Sequence, residues 1–500
     1  MVADQMRFFK KNYELLIIIT ILIIAAALRF YRIGDYMTFL GDEGRDMLVV
    51  KRMLVDHKFT LLGPTASVGG FFLGPLYYYF IAPFLWAFNY DPTGPAVMVA
   101  LFGTATVYLV YRVGKNFFNV TAGIIAALLY AISPLIISYS RASWNPNLMP
   151  FFSLLIVYLT WLMVKNKIPI FFLWIGLSFG ILFQLHYLAS FLLVIIAVYC
   201  LIYFSLKRYW KYYLLGIVGF LTSLSPFLLF ELRHGFPNTQ SLIQFIFQSK
   251  DTGFVAGNFF PIIADVFFRM FVRTITINNN LLAILLIIFI VPLFLHQWIK
   301  TGFFKNYTLT ILLIWLFFGI TLFGFYQKGI YDYYFGFMFP LPFLLTGYIF
   351  SIIAADKIYF RLGVIILMLV LIYINIKGAP FWFEPNRQMA NTKMVADFIL
   401  GKTQRQPYNF ALITGGNSDH AYRYFLEVDG KAPITIENVQ VDPNRTSVTN
   451  QLFVICETLP CEPEGNSLWE IAGFGRAKIE QVWDIYVVKV YQLGHWHEGD

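Results

Sequence analysis

The sequence predicts an α-helical polytopic membrane protein that carries a small α/β domain outside the membrane at its C-terminal end. Three observations predict it. The 500 residues are 58% hydrophobic and 19% aromatic with only 13% charged, and the mean hydropathy is +0.65, whereas soluble domains sit nearer half apolar. Apolar runs of about 20 residues recur along the chain, each long enough for a hydrocarbon core of about 30 Å. Past residue 377 the pattern changes to a polar, mixed-charge stretch with short alternating runs.

The first element, "MVADQMRFFKKNYELLIIITILIIAAALRF", has the basic and apolar regions of a signal peptide but no clear small-x-small cleavage site, so it reads as a retained first span. Candidate spans follow at 14–31, 93–112, 120–139, 147–164, 168–185, 187–206, 211–230, 280–299, 306–326, 331–353 and 357–376. The segment 72–88, "FLGPLYYYFIAPFLWAF", is apolar but short and carries Gly74, Pro75 and Pro83. Charge decides its placement. If it does not cross, the clusters Arg7/Lys10/Lys11, Arg112/Lys115, Lys165/Lys167, Lys207/Arg208/Lys211, Lys300/Lys305 and Lys357/Arg361 all face the cytoplasm, as the positive-inside rule asks. It is therefore expected as a re-entrant or juxtamembrane helix on the outer side. The result is about eleven spans in the cell membrane, with a cytoplasmic N-terminus and an extracytoplasmic C-terminal domain.

This topology divides the chain into a transmembrane domain, 1–377, and an extracytoplasmic domain, 378–500. Two outer-face segments, 32–92 and 231–279, interrupt the first and are expected to hold juxtamembrane helices. In the tail, "NFALITG", "QLFVICE" and "WDIYVVKVYQL" read as strands, and "RQMANTKMVADFIL" and "SDHAYRYFLEV" as helices. Cys200 lies in an apolar run, whereas Cys456 and Cys461 flank "ETLPC" and can pair if the tail is outside the cytoplasm. The net charge of +9 comes from loop Lys and Arg, which reads as topogenic charge rather than a nucleic-acid surface.

Ionisable groups are nearly absent from span interiors and gather at the outer span ends. The densest cluster is "GDEGRD", where Asp42, Glu43, Arg45 and Asp46 fall within five positions. A solvated loop broken at Gly41 is the plain reading. The stretch also opens a helical pattern, "DEGRDMLVVKRML", with acids in the first turn, favourable to the helix dipole. A carboxylate at the membrane edge is partly desolvated and suited to general-base work. Arg141 in "SRASWNPN" is either an interfacial anchor beside Trp144 or a bidentate anion ligand. His186 and Tyr187 fall at the tip of a tight helical hairpin, and Arg233 and His234 of "ELRHGF" sit at the lipid boundary. Each of these is either packing and anchoring or part of a surface site. No metal-ligand cluster, nucleotide loop or nucleophile triad is legible.

A first span followed by an outer loop with "DE", a Pro-containing re-entrant stretch, a later "SR" and an outer soluble tail resembles the glycosyltransferases of the GT-C fold. The similarity is greatest to the family 39 type, which includes protein O-mannosyltransferases and lipid A aminoarabinose transferases. It covers about residues 1–235 in detail and the later spans in general plan. The resemblance implies a polyprenyl-phosphate-linked sugar donor and an acceptor glycan, lipid or protein. Asp42 would be the general base and Glu43 its support. Arg45, Arg141, Asn145, Asn147, His186, Tyr187, Arg233 and His234 would be candidates for the donor phosphate or substrate. The related enzymes commonly carry an Asp after "SR"; here Asn145 or Asn147 stands there, and Asn positions a hydroxyl but takes no proton. No cofactor is implied with certainty, and a divalent metal is left open.

The chemistry fits these residue types independently. A polyprenyl phosphate leaves readily, so the reaction needs a base for the acceptor hydroxyl and cations for the departing phosphate. The alternative is a lipid-linked glycan flippase or transporter, which predicts polar groups deep in spans and internal repeats; neither is visible. A membrane sensor with a glycan-binding tail is a third reading, in which the "DE" acids are dispensable.

Overall fold

The repeated apolar runs fold into helices, and the computed structural model describes residues 2–302 and 304–497. Nothing is described of the side chains of residues 2–11, so the Arg7/Lys10/Lys11 cluster lies outside the described residues. Each candidate span contains an apolar helix. Among the described residues seven helices, including Asn12–Phe30, Thr93–Phe117, Leu206–His234 and Ile358–Lys377, are long and apolar enough to cross a membrane. The bent pair Asp332–Met338 and Pro340–Ala355 would make one more, while Val120–Ile132, Phe171–Leu185 and Tyr187–Tyr203 are shorter. The segment around residue 80 forms the helix Leu76–Ala87, about 18 Å long against a hydrocarbon core of about 30 Å. The chain is a multi-pass membrane protein. Leu15, Leu16, Ile19 and Ile23 are exposed at helical spacing on the first span, a stripe that water would not tolerate and lipid does.

Contacts group the chain into two units. The first comprises Met1–Ile33, Phe59–Phe84 and Pro95–Glu384, and the second Gly34–Lys58, Leu85–Gly94 and Pro385–Asp500. Within the first, small residues set the closest helix packing. A Cβ on Gly176 would lie 1.9 Å from the Gly216 carbonyl oxygen, so Phe171–Leu185 and Leu206–His234 approach backbone to backbone, as small residues allow in lipid. The span expected at 120–139 is broken at Ser133, whose backbone is extended before Pro134 opens the helix Pro134–Tyr139. Proline disfavours a helical residue before it, and the Ser133 hydroxyl donates to the Thr274 carbonyl at 2.6 Å. The segment 231–279, expected on the outer face, holds two helices, Pro237–Gln248 and Ala256–Thr274.

The second unit is built on a four-stranded sheet: β1 (Asn409–Ile413), β2 (Gln451–Cys456), β3 (Ala477–Ile485) and β4 (Val488–His495), ordered β1-β2-β4-β3. β1 and β2 are parallel, and the other pairs are antiparallel. The register places Ala411 opposite Val454 and Phe410 opposite Phe453. Ala411, Leu452, Val454 and Cys456 therefore share one face and pack with Ile436, Ile471 and Phe474. On the other face Phe410 meets Tyr422 of the helix His420–Asp429. The stretch "WDIYVVKVYQL", expected as one strand, is instead the hairpin of β3 and β4. Its two-residue turn is Tyr486-Val487, and Tyr486 adopts φ 56°. The apolar turn residues carry none of the Asn-Gly chemistry that marks such turns. Cys456 is disulfide-bonded to Cys461, and Cys200 is a buried free thiol.

Candidate active site

The acid motif begins the helix Gly41–Val55. Three backbone N–H groups at and just before its start, where helix geometry leaves donors without carbonyl partners, find side-chain acceptors. Gln388 Oε1 accepts from Phe39 at 3.1 Å, Glu43 Oε2 from Leu40 at 3.0 Å, and Asn417 Oδ1 from Gly41 at 2.9 Å. The Glu43 bond is the return half of a capping box. Glycine is required at two positions of the first turn. A Cβ on Gly41 would lie 2.0 Å from Ser418 Oγ, and one on Gly44 would lie 2.3 Å from the Ala421 nitrogen. The loop before His420 is thus pressed against the helix start.

This docking separates three acids that stand within five positions. Asp42 stays half exposed, at 54% for its side chain, and accepts from Arg45 at 2.8 Å. Asp46 is fully buried and accepts from the same guanidinium at 3.0 and 2.8 Å. Arg45 is therefore held by both acids at once. Glu43 is 5% exposed. Burial pushes its carboxyl up to about 7, the neighbouring Asp42 and Asp46 charges add to the rise, and the backbone N–H bonds oppose it. Farther along the helix, Lys51 and Arg52 pair with Glu427 at 3.1 and 3.0 Å, which holds the Glu427 carboxyl below its ordinary range.

In the first unit a second group assembles around aromatic rings. Tyr333 packs against Trp144 at 4.3 Å and against His186 at 5.7 Å, and His186 also stacks on Tyr187 at 4.7 Å. His186 Nδ1 accepts the Leu188 N–H at 3.3 Å, so its neutral ring carries the proton on Nε2. Asn145 donates to the Leu185 carbonyl at 2.5 Å, and Asn147 to the Ala142 carbonyl at 2.9 Å. Arg141 is buried; it donates to the Leu28 and Tyr31 carbonyls at 2.8 and 2.6 Å and lies over the Phe381 ring. A guanidinium at a helix C-terminus satisfies orphan carbonyls and the dipole together.

Arg233 and His234 are not drawn into this group. Both are exposed, and the His234 ring bonds the Phe230 carbonyl of its own helix at 2.8 Å. Their neighbour Glu231 is buried instead and caps the helix Pro237–Gln248, accepting from Asn238 and Thr239 at 2.7–3.2 Å. Sequence reasoning missed two arginines on the helix Ala256–Thr274. Arg269 and Arg273 approach Asp332 at 3.3 and 2.6 Å, and their i,i+4 spacing on an amphipathic helix was the available signal.

An apolar groove of about 400 Å³ runs beside Tyr187, walled by Phe183, Phe191, Phe245, Leu322 and Tyr326. Within its lining the Tyr187 and Tyr326 hydroxyls lie 3.3 Å apart; two residues past Tyr326, Lys328 pairs with Asp251 at 2.9 Å. Among the described residues no group of three or more His, Cys, Asp or Glu side chains is placed to hold a metal ion.

Residues 73–230 match the model of the family described as dolichyl-phosphate-mannose-protein mannosyltransferase. No curated protein matches the chain. Solved structures similar to this chain include ArnT and AglB. ArnT from Cupriavidus metallidurans, bound to undecaprenyl phosphate, is 13% identical with TM-score 0.65, over 96% of this chain and 98% of that one. The archaeal oligosaccharyltransferase AglB from Archaeoglobus fulgidus, in complex with an inhibitory peptide and a dolichol-phosphate, is 13% identical with TM-score 0.56, over 89% of this chain and 70% of that one. At these identities the likeness establishes the fold.

Proposed function

We propose that this chain, a membrane protein with the GT-C glycosyltransferase fold of the family 39 type, moves a sugar from a polyprenyl-phosphate-linked donor to an acceptor hydroxyl outside the cytoplasm, with inversion. Asp42 is the general base. Its carboxylate takes the proton of the acceptor hydroxyl while that oxygen attacks the anomeric carbon. The bond from that carbon to the phosphate oxygen breaks, and its electron pair leaves with the polyprenyl phosphate. One displacement inverts the anomeric centre. The observation that carries the assignment is the exposure of Asp42, at 54%, beside two buried neighbours, Glu43 and Asp46. Arg45 orients the base, and Glu43 supports it by fixing the helix start.

The groove beside Tyr187 suits a polyprenyl tail, since its lining is almost wholly apolar and buried apolar area drives such binding. Lys328, two residues past the groove-lining Tyr326, suits the phosphate; its ion pair is half exposed, and pairs of that kind contribute little and exchange readily. Arg141, Asn145, Asn147 and His186 act as positioning residues that hold the aromatic shell around Tyr333. The N-terminus is cytoplasmic, and the second unit is extracytoplasmic. The test is turnover of short-chain polyprenyl-phosphate sugars by purified protein, read as released polyprenyl phosphate by mass spectrometry. Asp42→Asn should lower turnover by about 10²–10⁴-fold and leave donor binding in place. Retention of most turnover removes Asp42 as the base.

A further inference from the structure

We propose that the second unit binds the acceptor in a cleft beyond the C-terminal end of β1, and that this acceptor is a neutral, hydroxyl-rich saccharide. The role as acceptor site rests on the transfer reading above; the binding itself does not. The cleft has a volume of about 390 Å³ and is lined by Thr414, Asn417, Ser418, Asp419, Asn466 and Glu470, with Leu468 as an apolar patch. That volume falls in the range of small-ligand sites. Its place, past the carboxyl end of a parallel strand, is where open α/β sheets leave a crevice for ligands.

The lining is held in place from behind. Glu457 accepts from the Thr414 hydroxyl at 2.7 Å, from Asn417 Nδ2 at 3.3 Å and from the Tyr422 hydroxyl at 2.9 Å. The Asn466 side chain is fixed by the Leu468 N–H at 3.0 Å. Glu470 differs, since its carboxylate makes no hydrogen bond or ion pair among the described residues although it lines the cleft and is half-buried. A carboxylate accepts two hydroxyls side by side, and Ser418 and Asn466 add a hydroxyl and an amide, groups that match a sugar edge. Glu470 brings an uncompensated negative charge, Asp419 is paired with Arg423, and no Lys or Arg lines the cleft. Phosphate, sulfate and uronate ligands are therefore disfavoured. The same charge argues that the lipid-phosphate donor binds elsewhere. Asn417, which lines the cleft, also accepts the Gly41 N–H at 2.9 Å, one residue before Asp42, so occupancy bears directly on the helix that carries the proposed base.

The experiment uses the full chain in detergent and saturation-transfer NMR with neutral tetrasaccharides of glucose, mannose, galactose and arabinose, alongside a uronate tetrasaccharide. At least one neutral probe should bind and the uronate should not. Glu470→Gln, nearly isosteric, should weaken binding about tenfold at an unchanged thermal midpoint, and Glu470→Lys should admit the uronate. Failure of every neutral probe to bind, equal binding of the uronate by the native chain, or unaltered affinity in both variants overturns the proposal. Donor turnover is measured separately. If polyprenyl phosphate is released but no saccharide binds, the cleft proposal alone falls; if saccharides bind but no donor turns over, the transfer reading falls and the cleft stands.

Discussion

Glu43→Gln isolates the cost of burying the second acid of the motif. Glu43 is 5% exposed, and its carboxyl is raised from 4.5 to about 7, chiefly by burial. Below pH 4.5 both folded and unfolded chains hold the proton. Between 4.5 and about 7 the unfolded chain has lost it while the folded chain keeps it, so the folded state binds more protons. Stability therefore falls as pH rises through this window, and the loss is complete above about 7. The raised value corresponds to about 3 kcal/mol in total. The amide introduced by Glu43→Gln cannot ionise, yet its carbonyl still accepts the Leu40 N–H that Glu43 Oε2 accepts at 3.0 Å. The variant should match the native chain at pH 4 and be more stable at pH 8 by up to about 3 kcal/mol. Hydrogen exchange of the helix Gly41–Val55 in the full chain, read by mass spectrometry and corrected for intrinsic rates, measures that difference. A protonated-carboxyl infrared band, present at pH 6 and absent from Glu43→Gln, gives an independent reading. Equal protection at pH 8, or protection of the native helix that grows with pH, refutes the reasoning.

Other substitutions test the packing that positions the site. Gly44→Ala places a Cβ 2.3 Å from the Ala421 nitrogen; because that atom is backbone, the loop must retreat, with an expected loss of about 1–3 kcal/mol and faster proteolysis near residue 418. Gly176→Ala meets the Gly216 carbonyl oxygen at 1.9 Å and should lower the thermal midpoint in detergent, while Gly363→Ala, where nothing lies within 4 Å of a new Cβ, should not. Cys461→Ser opens the short loop closed by the Cys456–Cys461 disulfide, with an expected loss of about 2 kcal/mol; reductant should shift the denaturant midpoint of the native chain and leave the variant unmoved.

The helices were legible because a hydrocarbon core forces every backbone group into hydrogen bonds within its own segment, so a long apolar run marks a helix. The break at Ser133 was foreshadowed by Pro134, whereas the β3–β4 turn at Tyr486 had no such residue to announce it. The candidate site was legible only as a census of charge. Sequence places Asp42, Glu43 and Asp46 together, but successive helical residues turn by about 100°, so each meets different surroundings: solvent, the helix start and the Arg45 guanidinium. What decides among them is a loop far away in sequence, since Asn417 reaches Gly41 across 376 positions. Arg141, read as a candidate anion ligand, spends its donors on the Leu28 and Tyr31 carbonyls. Arg269 finds Asp332 across 63 positions, a pairing no local pattern announces. Partners consume most of the charges that look available in a sequence. The chemistry of the site therefore turns on which groups the fold leaves accessible, and in the acid motif the most exposed carboxylate is Asp42.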